Sequence, residues 1–176
     1  MRLLLLRHAI AAPHDPEKWP DDRARPLTRV VFDRRLRTPP SARLLSTLDA
    51  GPVIIVSTAS ACAGAPDRVQ RLETAGALIL APPTDDMWSA LHALEATGLR
   101  SLVLEGGATL HRAVLDAGLV DEVHVYITPA PLGPRGVAWI GEGRIAWETL
   151  LDRRATWLGE DVLVEGRIQE HVHRNR

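Results

Sequence analysis

The chain is 176 residues long with a mass of 19.3 kDa, the size of one domain able to bury roughly two-thirds of its unfolded surface. Hydrophobic residues make up 45% and charged residues 24%, with 13 Gly and 13 Pro, which excludes disordered, collagen-like and coiled-coil classes. The net charge of −1 gives no cationic field for nucleic acid or a membrane surface, and the lone Cys62 can build neither a disulfide, a cysteine zinc site nor a CxxC pair. A reducing, cytoplasmic setting with no resident metal is the expectation.

In chain order, Leu3 to Leu6 is an apolar run ended by Arg7 and His8. It is too short for the roughly 7 to 15 apolar residues of a secretory signal or the roughly 20 of a membrane span. Residues 3–7 read as a short buried strand, and Ala11 to Thr28, rich in Pro and charge without a period, as a loop. Val30-Val31-Phe32 predicts a strand stopped by Thr38-Pro39-Pro40, and Val53 to Val56 a fully apolar one. Pro66 suits the first turn of a helix with Val69 and Leu72 on one face and Gly76 at its end, before a strand over Ala77 to Leu80.

Thr84 is the expected N-cap of the next helix, with Asp85 and Asp86 in its first turn. Met87, Ala90, Leu91 and Leu94 then recur at helical spacing before Gly98. Leu102-Val103-Leu104 predicts a strand, Glu105-Gly106-Gly107 a turn, and Leu110, Ala113, Val114 and Ala117 a helix up to Gly118. Val123, Val125 and Ile127 alternate as a strand, residues 129–150 read as a long connection, and Ala155 to Leu158 with Asp161 to Ile168 as an antiparallel hairpin. Alternation of strand and helix from about residue 52 to 128 predicts an α/β fold with a mainly parallel, mixed sheet.

Three places offer chemistry. Glu105-Gly106-Gly107-Ala108-Thr109-Leu110 puts an acid and two glycines where a strand ends and a helix begins, the edge at which open α/β sheets bind ligands; the alternative is an ordinary strand-to-helix turn. Asp33 stands at a strand end with Arg34, Arg35 and Arg37 close behind, where an Arg meets a phosphate or merely forms a solvated turn. Arg7-His8 after the first strand offers a nucleophilic imidazole with an Arg clamp. His92, His124, His171 and His173 read as bystanders, and no HxE with a downstream PCxxC exists for a zinc deaminase.

Residues 29–168 resemble the C-terminal reductase domain of the bacterial bifunctional riboflavin-biosynthesis deaminase/reductase, through RVVFDRRLRTPPSARLL, LVLEGGATLHRAVLDAGLVDEVHVYITPAPLG and GEDVLVEGRI. The resemblance implies a three-layer α/β/α, dihydrofolate-reductase-like fold in a homodimer. It also implies NADPH-dependent reduction of the ribosyl group of 5-amino-6-(5-phosphoribosylamino)uracil to a ribityl chain. Glu105 would contact substrate, Gly106, Gly107, Ala108, Thr109 and Leu110 would line the cofactor pyrophosphate, and Arg34 would lie near the NADPH. For the homodimer, Val123, Val125 and Ile127 need cover on one face, and Asp161 to Ile168 is expected as an exposed sheet edge.

The departure is at the front, where the family's SxDGK-like turn and GxxTxxxDDPxL segment have no counterpart in the 28 residues before Arg29, so turnover is expected to be impaired. Residues 1–28 instead resemble the start of the small bacterial phosphohistidine phosphatases, through Leu5-Leu6-Arg7-His8-Ala9 and WPDDRARPLT. That makes His8 the phosphate acceptor and Arg7 its clamp, without the second arginine and second histidine that such a site needs. The expected organisation is a phosphatase-like segment 1–28, a reductase-like domain 29–170 and a flexible tail 171–176. A phosphohistidine phosphatase and a noncatalytic nucleotide-binding or dimerising remnant are the alternatives to the reductase.

Overall fold

A computed structural model describes residues 2–5, 10–11, 26–131, 133–136 and 145–168. Two compact units divide the chain, His8–Arg100 and the pairing of Met1–Arg7 with Ser101–Arg176. The described strands pair in a five-stranded and a four-stranded set, parallel except for the C-terminal strands and β2 (Ile10–Ala11). Alternating strands and helices dictate parallel crossovers without saying which strands become neighbours.

In the unit His8–Arg100 the sheet order is β2 (Ile10–Ala11), β3 (Leu27–Phe32), β4 (Val53–Val56), β5 (Ala77–Leu80). β2 is antiparallel to β3, and β3, β4 and β5 are parallel, with Val31, Ile55 and Ile79 in one row. All four residues of β4 are buried, as a parallel strand covered on both faces requires. Between β4 and β5 run α1 (Ala59–Gly64) and α2 (Pro66–Thr74), the latter with Pro in its first turn. Leu72 of α2 is fully buried against Leu36, Leu45, Val53, Ile55 and Ala77, with Val69 packed alongside. Arg29 fixes the 3-10 segment Leu45–Ala50, its guanidinium donating to the Thr47 hydroxyl (2.8 Å) and the carbonyls of Thr47 (2.7 Å) and Gly51 (2.6 Å).

α3 (Met87–Ala96) buries Ala90, Leu91 and Leu94, but its N-cap is Asp86 and not Thr84. Asp86 accepts from the Ser89 amide at 2.8 Å, the spacing a cap requires, whereas Thr84 stands two residues too early and donates its hydroxyl to Asp86 at 2.5 Å.

The other unit holds a five-stranded sheet in the order β6 (Ser101–Val103), β1 (Arg2–Leu5), β7 (Glu122–Ile127), β9 (Asp161–Arg167), β8 (Leu151–Leu158). β1 is parallel to both β6 and β7, and β9 is antiparallel to both β7 and β8. α4 (Ala108–Asp116) follows β6 and buries Val114. Asp161 to Ile168 therefore does not form the exposed edge; β9 is paired on both sides and β8 is the edge strand. β8 begins at Leu151, earlier than the sequence shows, because Asp152, Arg153 and Arg154 hide the strand period and a register irregularity falls between Leu151 and Arg154. The parallel strands, helices and C-terminal antiparallel strands make this an α/β fold. Among the described residues no helix is long and apolar enough to cross a membrane.

Candidate functional site

β6 ends at Val103, buried Leu104 follows, and the chain turns through Glu105, Gly106 and Gly107 into α4. Glu105 is exposed and, among the described residues, takes part in no hydrogen bond or ion pair. Gly107 is the N-cap of α4, with extended backbone; no side chain caps this end and no acid stands in its first turn. The amides of Leu110 and His111 close the first turn onto the Gly107 carbonyl at 2.9 and 3.2 Å.

The two glycines do different things. A Cβ at Gly106 would stand 2.7 Å from Leu110 Cδ2, so its bareness lets the turn pack onto the helix, whereas a Cβ at Gly107 would meet nothing within 4 Å. An anion needs a helix N-terminus with free amides and a backbone it can approach closely. Gly106 and Gly107 give the close approach and Ala108 and Thr109 the amides without an intrahelical acceptor, while the Leu110 amide is already given to the Gly107 carbonyl; this turn fits a dinucleotide pyrophosphate.

Arg34 belongs to the other unit, at the carboxyl edge of β3, β4 and β5. Asp33 beside it is buried and serves the fold. Burial raises its pKa, but the amide of Arg37, the hydroxyl and amide of Thr38 and the amide of Arg35 outweigh it and hold the carboxyl below its ordinary range. Both Thr38 groups donate at 2.7 Å. The Asp33 bonds therefore contribute stability above the usual carboxyl range and lose it as pH falls through the lowered value. They close a loop in which Leu36, at φ 49°, turns its side chain into the core.

Arg34 points outward and forms a two-pronged ion pair with Asp85, Nε donating to Oδ1 at 2.9 Å and Nη2 to Oδ2. The Asp85 hydrogen bond, then its charge, raises the Arg34 pKa, and the Arg34 hydrogen bond lowers that of Asp85. After β4, Thr58 accepts from the Ala61 amide at 3.0 Å as the cap of α1 and donates to the Arg34 carbonyl at 3.1 Å. Ser57 is buried, and its hydroxyl has no hydrogen-bond partner among the described residues. Asp85 was legible only as a first-turn acid. The signal lay in the pair Asp85-Asp86: once one caps the helix, the other is left to meet Arg34.

Arg7, His8, His171 and His173 lie outside the described residues. His92 stacks on Trp88 with ring centroids 5.6 Å apart. His124 sits 3.7 Å from a Glu122 oxygen and 3.3 Å from a Glu165 oxygen. All three line an open groove of about 560 Å³ together with Asp152, Arg154 and Arg167. Alternation along β7 puts Glu122 and His124 on one face, but Glu165 becomes a neighbour only through the register of β9.

The model of the RibD C-terminal domain family matches residues 4–164. The chain belongs to that family. It is 38% identical over 143 residues to the 2,5-diamino-6-ribosylamino-4(3H)-pyrimidinone 5′-phosphate reductase of Methanothermobacter thermautotrophicus, which covers 78% of this chain and 64% of the relative. It is 29% identical over 176 residues to the riboflavin biosynthesis protein RibD of Bacillus amyloliquefaciens, covering 90% of this chain and 45% of that protein. The chain thus spans less than two thirds of either relative.

Among solved structures, a pyrimidine reductase-like protein from Corynebacterium diphtheriae superposes with a TM-score of 0.61 at 20% identity, covering 96% of this chain and 76% of that one. Acinetobacter baumannii RibD gives 0.58 at 23% identity, covering 80% and 37%. These two show the shared fold. The RibD match starts at residue 4 and so takes in the stretch around Arg7 and His8; the phosphatase resemblance of residues 1–28 finds no support.

Proposed function

We propose that the chain is an NADPH-dependent reductase of riboflavin biosynthesis that converts the ribosyl group of 5-amino-6-(5-phosphoribosylamino)uracil to a ribityl chain. Membership of the RibD C-terminal domain family supports this reading. The observation that carries it is Glu105, an exposed carboxylate without a partner among the described residues, beside the uncapped start of α4. Glu105 accepts hydrogen bonds from the hydroxyls of the sugar, and Gly106, Gly107, Ala108, Thr109 and Leu110 line the cofactor pyrophosphate, which takes the open amides at the start of α4. Arg34 lies near the cofactor. NADPH, when bound, supplies the hydride.

A second reading changes only the pyrimidine. The 38% identity to an archaeal reductase favours 2,5-diamino-6-ribosylamino-4(3H)-pyrimidinone 5′-phosphate, the compound in that relative's name. It carries an amino group where the uracil carries an oxo group, and the sugar phosphate is the same. Following NADPH oxidation with each pyrimidine decides between them, with NADPH expected to outperform NADH for either. NADPH binding without oxidation of either mixture would reject the reductase in favour of a noncatalytic remnant. Phosphate release from a phosphohistidine mimic, abolished by His8→Ala, would overturn it in favour of a phosphatase.

The enzyme is proposed to work as a homodimer. β8 presents an unpaired sheet edge, and Tyr126, Ile127, Trp157 and Leu158 are exposed on the same group of strands. Light scattering is expected to give twice 19.3 kDa; a concentration-independent monomer would reject the dimer.

A further inference from the structure

We propose that Asp85 tunes the choice between NADPH and NADH by occupying Arg34, an inference that rests on the reading that Arg34 lies near the cofactor. NADPH differs from NADH by one phosphate, a dianion whose paired oxygens suit the planar fork of a guanidinium. Arg34 is the arginine at this sheet edge whose fork is already aimed, with Nε and Nη2 both donating to the Asp85 carboxylate. Its backbone is fixed, since the Asp33 amide donates to the Val56 carbonyl at 2.8 Å and Thr58 holds the Arg34 carbonyl at 3.1 Å.

The same two donors cannot serve Asp85 and a phosphate at once, so the phosphate must displace the carboxylate. Displacement is feasible because both side chains are open to water, Arg34 at 74% and Asp85 at 47% exposure, and an exposed pair is weak. The displaced Asp85 stays nearby as a like charge, which costs the phosphate-bearing dinucleotide and spares the other. Asp85 thus competes with the phosphate for the Arg34 fork and sets how strongly the phosphate is preferred.

The test is calorimetric binding of 2′,5′-ADP and 5′-AMP, with NADPH and NADH alongside, to the full chain and its Asp85→Asn, Arg34→Gln and doubly substituted forms. Asp85→Asn is expected to tighten 2′,5′-ADP and NADPH about three- to fivefold and leave 5′-AMP and NADH unchanged. Arg34→Gln is expected to weaken the phosphate-bearing pair about tenfold, and adding Asp85→Asn to it should change nothing further. Equal shifts for all four nucleotides, no shift, or an Asp85→Asn effect that survives Arg34→Gln would overturn the inference. If NADPH binding and oxidation persist in those cases, the proposed reductase stands without it; a chain that binds no NADPH ends both.

Discussion

Glu105→Ala is expected to lower kcat/KM for the phosphoribosylamino pyrimidine by about 10- to 100-fold while NADPH affinity stays within about threefold. The carboxylate accepts hydrogen bonds from sugar hydroxyls that a methyl group cannot accept, and losing a charged hydrogen bond costs roughly 1.5 to 3 kcal/mol. Because Glu105 is exposed and bonded to no described residue, its removal leaves no buried group stranded, and the melting temperature should hold. The proposed cofactor contacts are backbone amides of the following residues, which the substitution leaves in place. Steady-state kinetics with titration of NADPH measures both quantities, and equal losses in the two would show that Glu105 does not face the substrate.

Gly51→Ala should be the most destabilising small substitution in the chain, by about 3 kcal/mol or more. Gly51 has φ 135°, and an added Cβ would stand 2.1 Å from the Leu27 carbonyl oxygen and 2.9 Å from its carbon. Both obstacles are backbone at the first residue of β3, so relief requires moving the strand. The Gly51 amide also donates to the Leu48 carbonyl at 3.0 Å, and its own carbonyl accepts from Arg29 at 2.6 Å, so movement breaks the anchor of the Leu45–Ala50 segment. The control is Gly64→Ala, where nothing lies within 4 Å and φ is outside the left-handed region; it should change stability by less than about 1 kcal/mol. Thermal unfolding of both variants checks the contrast, with Gly51→Ala expected to melt about 6 to 12 °C lower. Similar melting temperatures would overturn it.

Elements whose burial is local were legible in the sequence. Val53 to Val56 and Ala77 to Leu80 were bounded as observed because a short apolar run between turns has few alternatives, and Glu105-Gly106-Gly107 lies in the turn expected. What depended on distant partners was not. Residues 3–7 read as a strand, but nothing in them says that Arg2–Leu5 lies between β6 and β7. α1 went unseen because Ala59 to Gly64 carries no apolar period, only the capping Thr58 before it. Asp33 was legible only as a strand-end acid ahead of three arginines, and its bonds to Thr38 are internal.

Arg34 was placed at the sheet edge, but its partner lies 51 residues away. His124 falls on the alternate face from Val123 and Val125 in the sequence, and Glu165 becomes its neighbour only through strand register. The local match of Leu5-Leu6-Arg7-His8 to a phosphatase shows the same weakness: two polar residues after a strand are too few to outweigh a family match that runs through them.

The placement of β1 also bears on the order in which the chain can assemble. β3, β4 and β5 are ready to pair once Leu80 has been made, since every partner in that ladder has a lower number. β1 is synthesised before both its neighbours, Ser101–Val103 and Glu122–Ile127, which come more than 95 residues later. At about 5 to 20 residues per second the ribosome makes that wait several seconds to tens of seconds, during which Arg2–Leu5 has no native ladder to join. Closing so long a loop adds an entropic cost that the four-stranded sheet avoids. The residues of β1 thus wait for partners made long after them and are among the last of the described strands to find their place.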